Sequence, residues 1–100
     1  IVAELRENGK RRLIGIGSFE IEPDFRKCEF AIMVHDEFQG RGLAYKLLDV
    51  LIGIAREKDL EEFYGYIELK NKKMVQLCEK LGMIREDDDD EMVKVRLLLH

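Results

Sequence analysis

The sequence predicts a single α/β domain of the α+β kind, with a mixed, mostly antiparallel sheet built around one parallel βαβ unit. Three observations carry that expectation. Short apolar stretches of strand-like composition and two strongly amphipathic stretches follow one another in the order β-β-β-α-β-α-β. The stretch between the third and fourth strands is long enough for a crossover helix, which makes those two strands parallel. With 100 residues, 46% apolar and 38% charged, the chain also has the size and balance of one domain around one core.

Taken in order, "IVAEL" is a short strand and "RENGK" a turn carrying the Asn-Gly pair that favours hairpins. "RLIGIGSFE" is a second strand in which Gly15 and Gly17 leave one face bare, where another element can approach closely. "IEPDFR" is a loop. "KCEFAIMVHD" is a third strand, apolar on both faces near its end, as for a central strand covered on both sides. A helix runs from about Arg41 to Lys58, with Leu43, Ala44, Leu47, Leu48, Leu51, Ile54 and Ala55 at helical spacing. "EEFYGYIEL" is the fourth strand. "NKKMVQLCEKLG" is a helix that buries Met74, Leu77, Cys78 and Leu81, with Asn71 placed to cap it and Gly82 to end it. "MVKVRLLLH" alternates as a final antiparallel strand, and as an exposed edge it invites pairing with a second copy, a homodimer.

Charge and composition exclude several classes. The net charge is −4, but six acids stand together from Glu86 to Glu91, and removing them leaves +2. That run reads as a solvated loop. The remainder is too weakly basic for a general nucleic-acid surface. Charge interrupts every apolar-rich stretch, so no membrane span is expected, and "IVAELRENGK" does not read as a signal peptide. Cys28 and Cys78 read as free thiols of a reducing, cytoplasmic setting. No metal is expected.

The chemistry concentrates in "FQGRGLA", where the third strand hands over to the first helix. The first helical turn has backbone N–H groups without intrahelical partners and the positive end of the dipole. Glycines there let an anion approach the backbone without a Cβ in the way. Gln39, Gly40, Arg41, Gly42, Leu43 and Ala44 thus form a phosphate cradle, to which Arg41 adds charge. The spacing fits neither the P-loop nor the Rossmann glycine fingerprint. Spacing alone equally allows a simple tight turn with Arg41 in solvent.

Two motifs together resemble a known family. Gln39-Gly40-Arg41-Gly42-Leu43-Ala44 matches the Gln/Arg-x-x-Gly-x-Gly/Ala motif of the GNAT acetyltransferase superfamily, and "NKKMVQLCEKLGM" is similar to its second signature, an Asn opening a helix that closes in Glu-Lys-Leu-Gly. The resemblance covers essentially the whole chain, and "CEFAIMVHDEFQGRGLA" looks most like the acetyltransferase domains of bacterial protein lysine acetyltransferases. It implies an acyl-CoA N-acyltransferase fold lacking the family's N-terminal strand and helices, so that the chain reads as a fragment of a longer protein or as a domain completed by another. It implies acetyl-CoA as co-substrate and a primary amine, such as a protein lysine, as acceptor. It further implies that Ile32, Met33 and Val34 splay from the neighbouring parallel strand and offer backbone groups to the pantetheine arm. The amides of Gly40 to Ala44 would hold the pyrophosphate, and Asn71 would face the cofactor, a role compatible with capping. Lys72 and Lys73 would lie near the ribose phosphate.

Transfer to an amine that is protonated at neutral pH requires a base. Glu29 is the candidate. It precedes Val34 by five residues, roughly 16 Å along a strand, a span comparable to an extended pantetheine arm. The lysine acetyltransferases that the sequence resembles carry a glutamate at the matching place, although a glutamate on the solvent face of a strand is the plain alternative. Glu68, Glu20 and Tyr66 are weaker candidates. Cys78 stands where many family members have a tyrosine that protonates the leaving thiolate. It is too short for that work and is expected in the core, which leaves the proton to water. Cys78 and the absent N-terminal elements favour a rival reading, a non-catalytic acetyl-CoA or CoA sensor, while Glu29 favours the enzyme.

Overall fold

A computed structural model of the chain describes every residue except Arg41 and Asp88. The elements are β1 (Val2–Glu7), β2 (Lys10–Ile21), β3 (Lys27–Val34), α1 (Leu43–Glu57), β4 (Glu62–Glu68), α2 (Lys72–Lys80), β5 (Ile84–Asp87) and β6 (Met92–Leu98), with one 3₁₀ turn at Asp36–Phe38. They form a six-stranded sheet in the order β1-β2-β3-β4-β6-β5. Every neighbouring pair is antiparallel except β3 and β4, which are parallel across the α1 crossover. The mixed α+β architecture and its βαβ unit are therefore as the sequence predicts.

Local chemistry explains the boundaries. Asn8 and Gly9 both take positive φ (51° and 75°) in the two-residue turn between β1 and β2, the geometry that matches strand twist in a tight hairpin. The helices pack on one face of the sheet. Leu48, Leu51, Ile52 and Ala55 of α1 and Val75 and Cys78 of α2 share one core with Cys28, Phe30, Phe63, Ile67, Val93 and Val95. Each large apolar side chain buried there contributes about 1.5–3 kcal/mol. α1 sits close to β2 because a Cβ on Gly17 would stand 2.9 Å from Ile32 and 3.1 Å from Leu51.

Three sequence expectations are corrected. The acidic run is not all loop: Ile84–Asp87 pairs with β6 as a fifth strand. Acidic residues are poor strand formers, but here Glu86 lies opposite Lys94 and pairs with Arg96 at 2.5 Å, so cross-strand charge offsets the weak propensity. In consequence the last strand is not an edge. β6 lies between β4 and β5, so its backbone is already paired on both sides, and the expected homodimer contact through it has no free ladder to use. Finally, β3 is not covered on both faces. Cys28 and Phe30 are buried under the helices, whereas Met33 is 69% exposed and Glu29 and Ala31 face outward, because both helices lie on the other side.

The parallel pairing of β3 with β4 is short. It covers Lys27↔Glu62, Cys28↔Phe63 and Glu29↔Tyr64, and stops there. Glu62 anchors its start: the carboxylate is largely buried and pairs with Arg96 at 3.1 Å and Lys27 at 3.8 Å. Where the strands part, the ring of Phe30 stacks on Phe63 at 4.8 Å and fills the space beside Gly65, so that a Cβ on Gly65 would meet that ring at 2.6 Å. Gly65→Ala is accordingly expected to cost about 1–3 kcal/mol by overpacking. A thermal melt should fall by about 4–8 °C per kcal/mol in a domain of this size. An unchanged melting temperature would mean that Phe30 is not held there.

Both cysteines are buried. Burial pushes the Cys28 thiol up to about 11 and the Cys78 thiol up to about 12. They should resist a thiol reagent at neutral pH until the chain unfolds. Between the unfolded thiol range, near 9.0, and these raised values the unfolded chain binds fewer protons than the folded one. Stability should therefore fall as pH rises through that window, as a denaturant titration at increasing pH would read.

Candidate active site

The first turn of α1 is built to leave donors free. Gly42 is the N-cap in the left-handed region (φ 78°, ψ 6°), a conformation a glycine adopts without steric cost. It offers no side-chain acceptor, and the first turn contains no acid. Among the described residues the helix's own bonding starts with Lys46 N–H to the Gly42 carbonyl at 3.2 Å. The amides at the very start of a helix precede any acceptor within it, and the first turn itself carries no acid to offset the dipole. A Cβ on Gly40 or Gly42 would meet no atom within 4 Å. α2 contrasts with this: Asn71 Oδ1 accepts the Met74 N–H at 3.3 Å, the cap expected from sequence.

The second component is the opening in the sheet. Beyond Glu29 the β3 backbone has no β4 partner, so Ile32, Met33 and Val34 run free of it. They remain paired only with β2, opposite Gly17, Ile16 and Gly15.

Turn and opening meet in one cavity of about 500 Å³. Ile32, Met33 and Val34 line one side, and Gln39, Gly40, Gly42, Leu43 and Ala44 line another. Asn71 and Lys73 close it from α2, with Met74 and Leu77. Nine of the eleven site residues expected from sequence therefore share one space. Of the other two, Arg41 lies outside the described residues, and Glu29 does not line the cavity. Glu29 sits at the last paired position of the parallel strands, exposed on the face away from the helices. Lys72 does not line the cavity.

Some details were not legible beforehand. Gln39 Nε2 donates to the Val34 carbonyl and to Asp36 Oδ1, both at 3.2 Å, and so fastens the loop to the end of β3. Arg12 holds the same loop from β2, pairing with Glu37 at 2.9 Å with its guanidinium 5.4 Å from the Phe38 ring centre. On the open face, the Tyr64 hydroxyl donates to Glu22 at 2.5 Å, a contact between residues 42 positions apart that no local pattern announces.

The arrangement combines a cluster of N–H donors at a helix start whose first turn carries no acid, glycines without side-chain obstruction, and a mainly apolar channel along a free strand edge. A ligand with an anionic head and an extended, amide-bearing arm fits it: the head on the first turn of α1, the arm along β3 as an added strand.

Comparison with known proteins points the same way. The model of a family described as an acetyltransferase (GNAT) domain matches residues 1–84. An acetyltransferase of Pseudomonas aeruginosa is 32% identical over 94 residues, which is 94% of this chain and 50% of that protein. The spermidine N(1)-acetyltransferase of Vibrio cholerae is 30% identical over 82 residues, 80% of this chain and 47% of that one. The structure of YncA from Salmonella typhimurium with its cofactor acetyl-CoA superposes with a TM-score of 0.79 at 25% identity, over 88% of this chain and 59% of that one. The chain spans about half the length of the curated relatives it matches.

Proposed function

The chain belongs to the GNAT acetyltransferase family, and from that premise we propose that it is an acetyl-CoA-dependent N-acetyltransferase, passing an acetyl group to a primary amine by direct attack with both substrates bound. The observation that carries this reading is the single cavity joining the donor-rich first turn of α1 to the free edge of β3. Acetyl-CoA supplies the acetyl group as a thioester. In this reading the amides following Gly42 bind the pyrophosphate, and the backbone of Ile32–Val34 orients the arm so that its reactive end lies near the divergence of β3 and β4. Asn71 and Lys73 border the cofactor from α2.

Glu29 is the base. A primary ammonium must lose a proton before its nitrogen can attack. Glu29, at the apex of the opening and exposed to the side from which an acceptor arrives, takes that proton directly or through water and releases it to solvent. One C–N bond forms and one C–S bond breaks; the nitrogen gives up its second proton to water as the amide forms, and CoA leaves as the thiol with a proton from water. Cys78 is not the donor of that proton, since it is fully buried and its thiol is pushed up to about 12.

The acceptor is a primary amine; a protein lysine and a polyamine such as the one named for the Vibrio cholerae relative both carry the group. The test is incubation with acetyl-CoA and a panel containing spermidine and a lysine peptide, following free CoA thiol and product mass. Acetyl-CoA-dependent turnover of at least one amine is expected. The buried Cys78 favours a second reading, a CoA-binding module without turnover, and acetyl-CoA binding with no product from any amine would support it instead.

A further inference from the structure

The open face of the sheet holds an arrangement that the reading above does not use. Tyr64 is the β4 residue opposite Glu29 in the last parallel pair. Its neighbour Phe63 lies in the helix-side core, so Tyr64 projects to the other face. It is nevertheless only 9% exposed. The side chain reaches across β3, and its hydroxyl donates to Glu22 Oε1, just beyond the end of β2, at 2.5 Å. Tyr66 packs against the ring edge-on with centroids 6.1 Å apart, and Lys94 Nζ stands 4.9 Å from the ring centre. The ring is thus braced by two strands and its hydroxyl fixed by a third element.

The hydrogen bond to Glu22 is the chief reason that this tyrosine holds its proton well above the ordinary range, with burial and the nearby Glu29 charge adding to it. A phenol whose proton is committed to a carboxylate still has lone pairs with which to accept. Glu22 draws on that proton and so makes the oxygen a better acceptor. The location is specific: the parallel ladder ends at this pair, and the arm along β3 would end beside it.

Building on the N-acetyltransferase reading, we infer that Tyr64 is an acceptor-positioning residue: Glu22 fixes its hydroxyl so that the phenol oxygen receives an N–H of the incoming primary amine beside Glu29. The acceptor class is a cationic primary amine, whose ammonium has several donors to share between the phenol oxygen and the Glu29 carboxylate. A phenol with a neutral oxygen orients such a group without pairing with it as an ion, which leaves the proton to Glu29.

The test is steady-state kinetics of the chain, Tyr64→Phe and Glu22→Gln, with spermidine and Nα-acetyl-lysine amide as probe amines. Tyr64→Phe keeps the ring and removes the oxygen. The KM of the better probe should rise about tenfold, equivalent to about 1.4 kcal/mol, with the KM of acetyl-CoA unchanged. Glu22→Gln keeps an acceptor for the hydroxyl and should raise the amine KM by a smaller factor, so the proposal remains testable if Tyr64→Phe folds poorly. A role confined to stability would lower the melting temperature and leave the amine KM unmoved. That outcome in both variants overturns this inference while leaving the acetyltransferase reading intact. A parent chain that acetylates neither probe overturns both.

Discussion

Glu29→Gln is expected to lower kcat by about 10²–10⁴-fold, the usual contribution of a positioned general base. The substitution is nearly isosteric, and Glu29 makes no ion pair among the described residues, so little else should change. Its backbone continues to pair with Glu20 and Tyr64. Because Glu29 does not line the cavity, the affinity for acetyl-CoA should stay within about twofold, a difference of less than 1 kcal/mol. Measuring turnover and acetyl-CoA binding on the same preparation separates the two. Lost turnover with retained binding is the expected pair of results. Wild-type kcat in the variant would remove Glu29 from the chemistry and return it to the solvent face of an ordinary strand.

Gly42→Glu should act on the other substrate. The N-cap of α1 is in the left-handed region, where a side chain costs roughly 1–2 kcal/mol, but there is open space around the added Cβ. The variant should therefore fold. Its carboxylate would stand at the donors reserved for an anion, repelling a pyrophosphate and competing for the same amides. An affinity loss of at least about 100-fold, close to 2.8 kcal/mol, is expected by calorimetric titration with acetyl-CoA. Far-ultraviolet circular dichroism should remain that of the parent. Undiminished binding would mean that the phosphates lie elsewhere.

Much of this was legible in the sequence because it rests on local rules. Asn8-Gly9, the periodicity of Leu47, Leu48 and Leu51, the Asn71 cap and the glycines before α1 each follow from the chemistry of a few neighbouring residues. The two motifs hold six of the expected site residues that line one cavity, and Ile32, Met33 and Val34, which the family resemblance implies, line it with them. What was not legible depends on partners distant in sequence. β5 exists because Glu86 finds Lys94 and Arg96 across a hairpin, and an acidic run on its own reads as a loop. The charge complement between "RED" and "KVR" was the available signal. The exposure of Met33 and Glu29 follows from both helices choosing the opposite face, which the apolar content of β3 could not reveal. The bond from Tyr64 to Glu22 crosses an entire strand. The short parallel ladder and its opening are a property of β3 and β4 together and of the Phe30 ring beside Gly65. Only the family resemblance anticipated them.

The central claim is that the first turn of α1 and the unpaired end of β3 form one acetyl-CoA site. An amide-resolved NMR titration of the chain with acetyl-CoA tests it most directly. The account predicts large shifts at Leu43, Ala44 and Tyr45 and at Ile32, Met33 and Val34, saturating together with one affinity, while the β5–β6 hairpin stays still. Absence of shifts, or shifts gathered on the open face or at the β5–β6 hairpin, would contradict it.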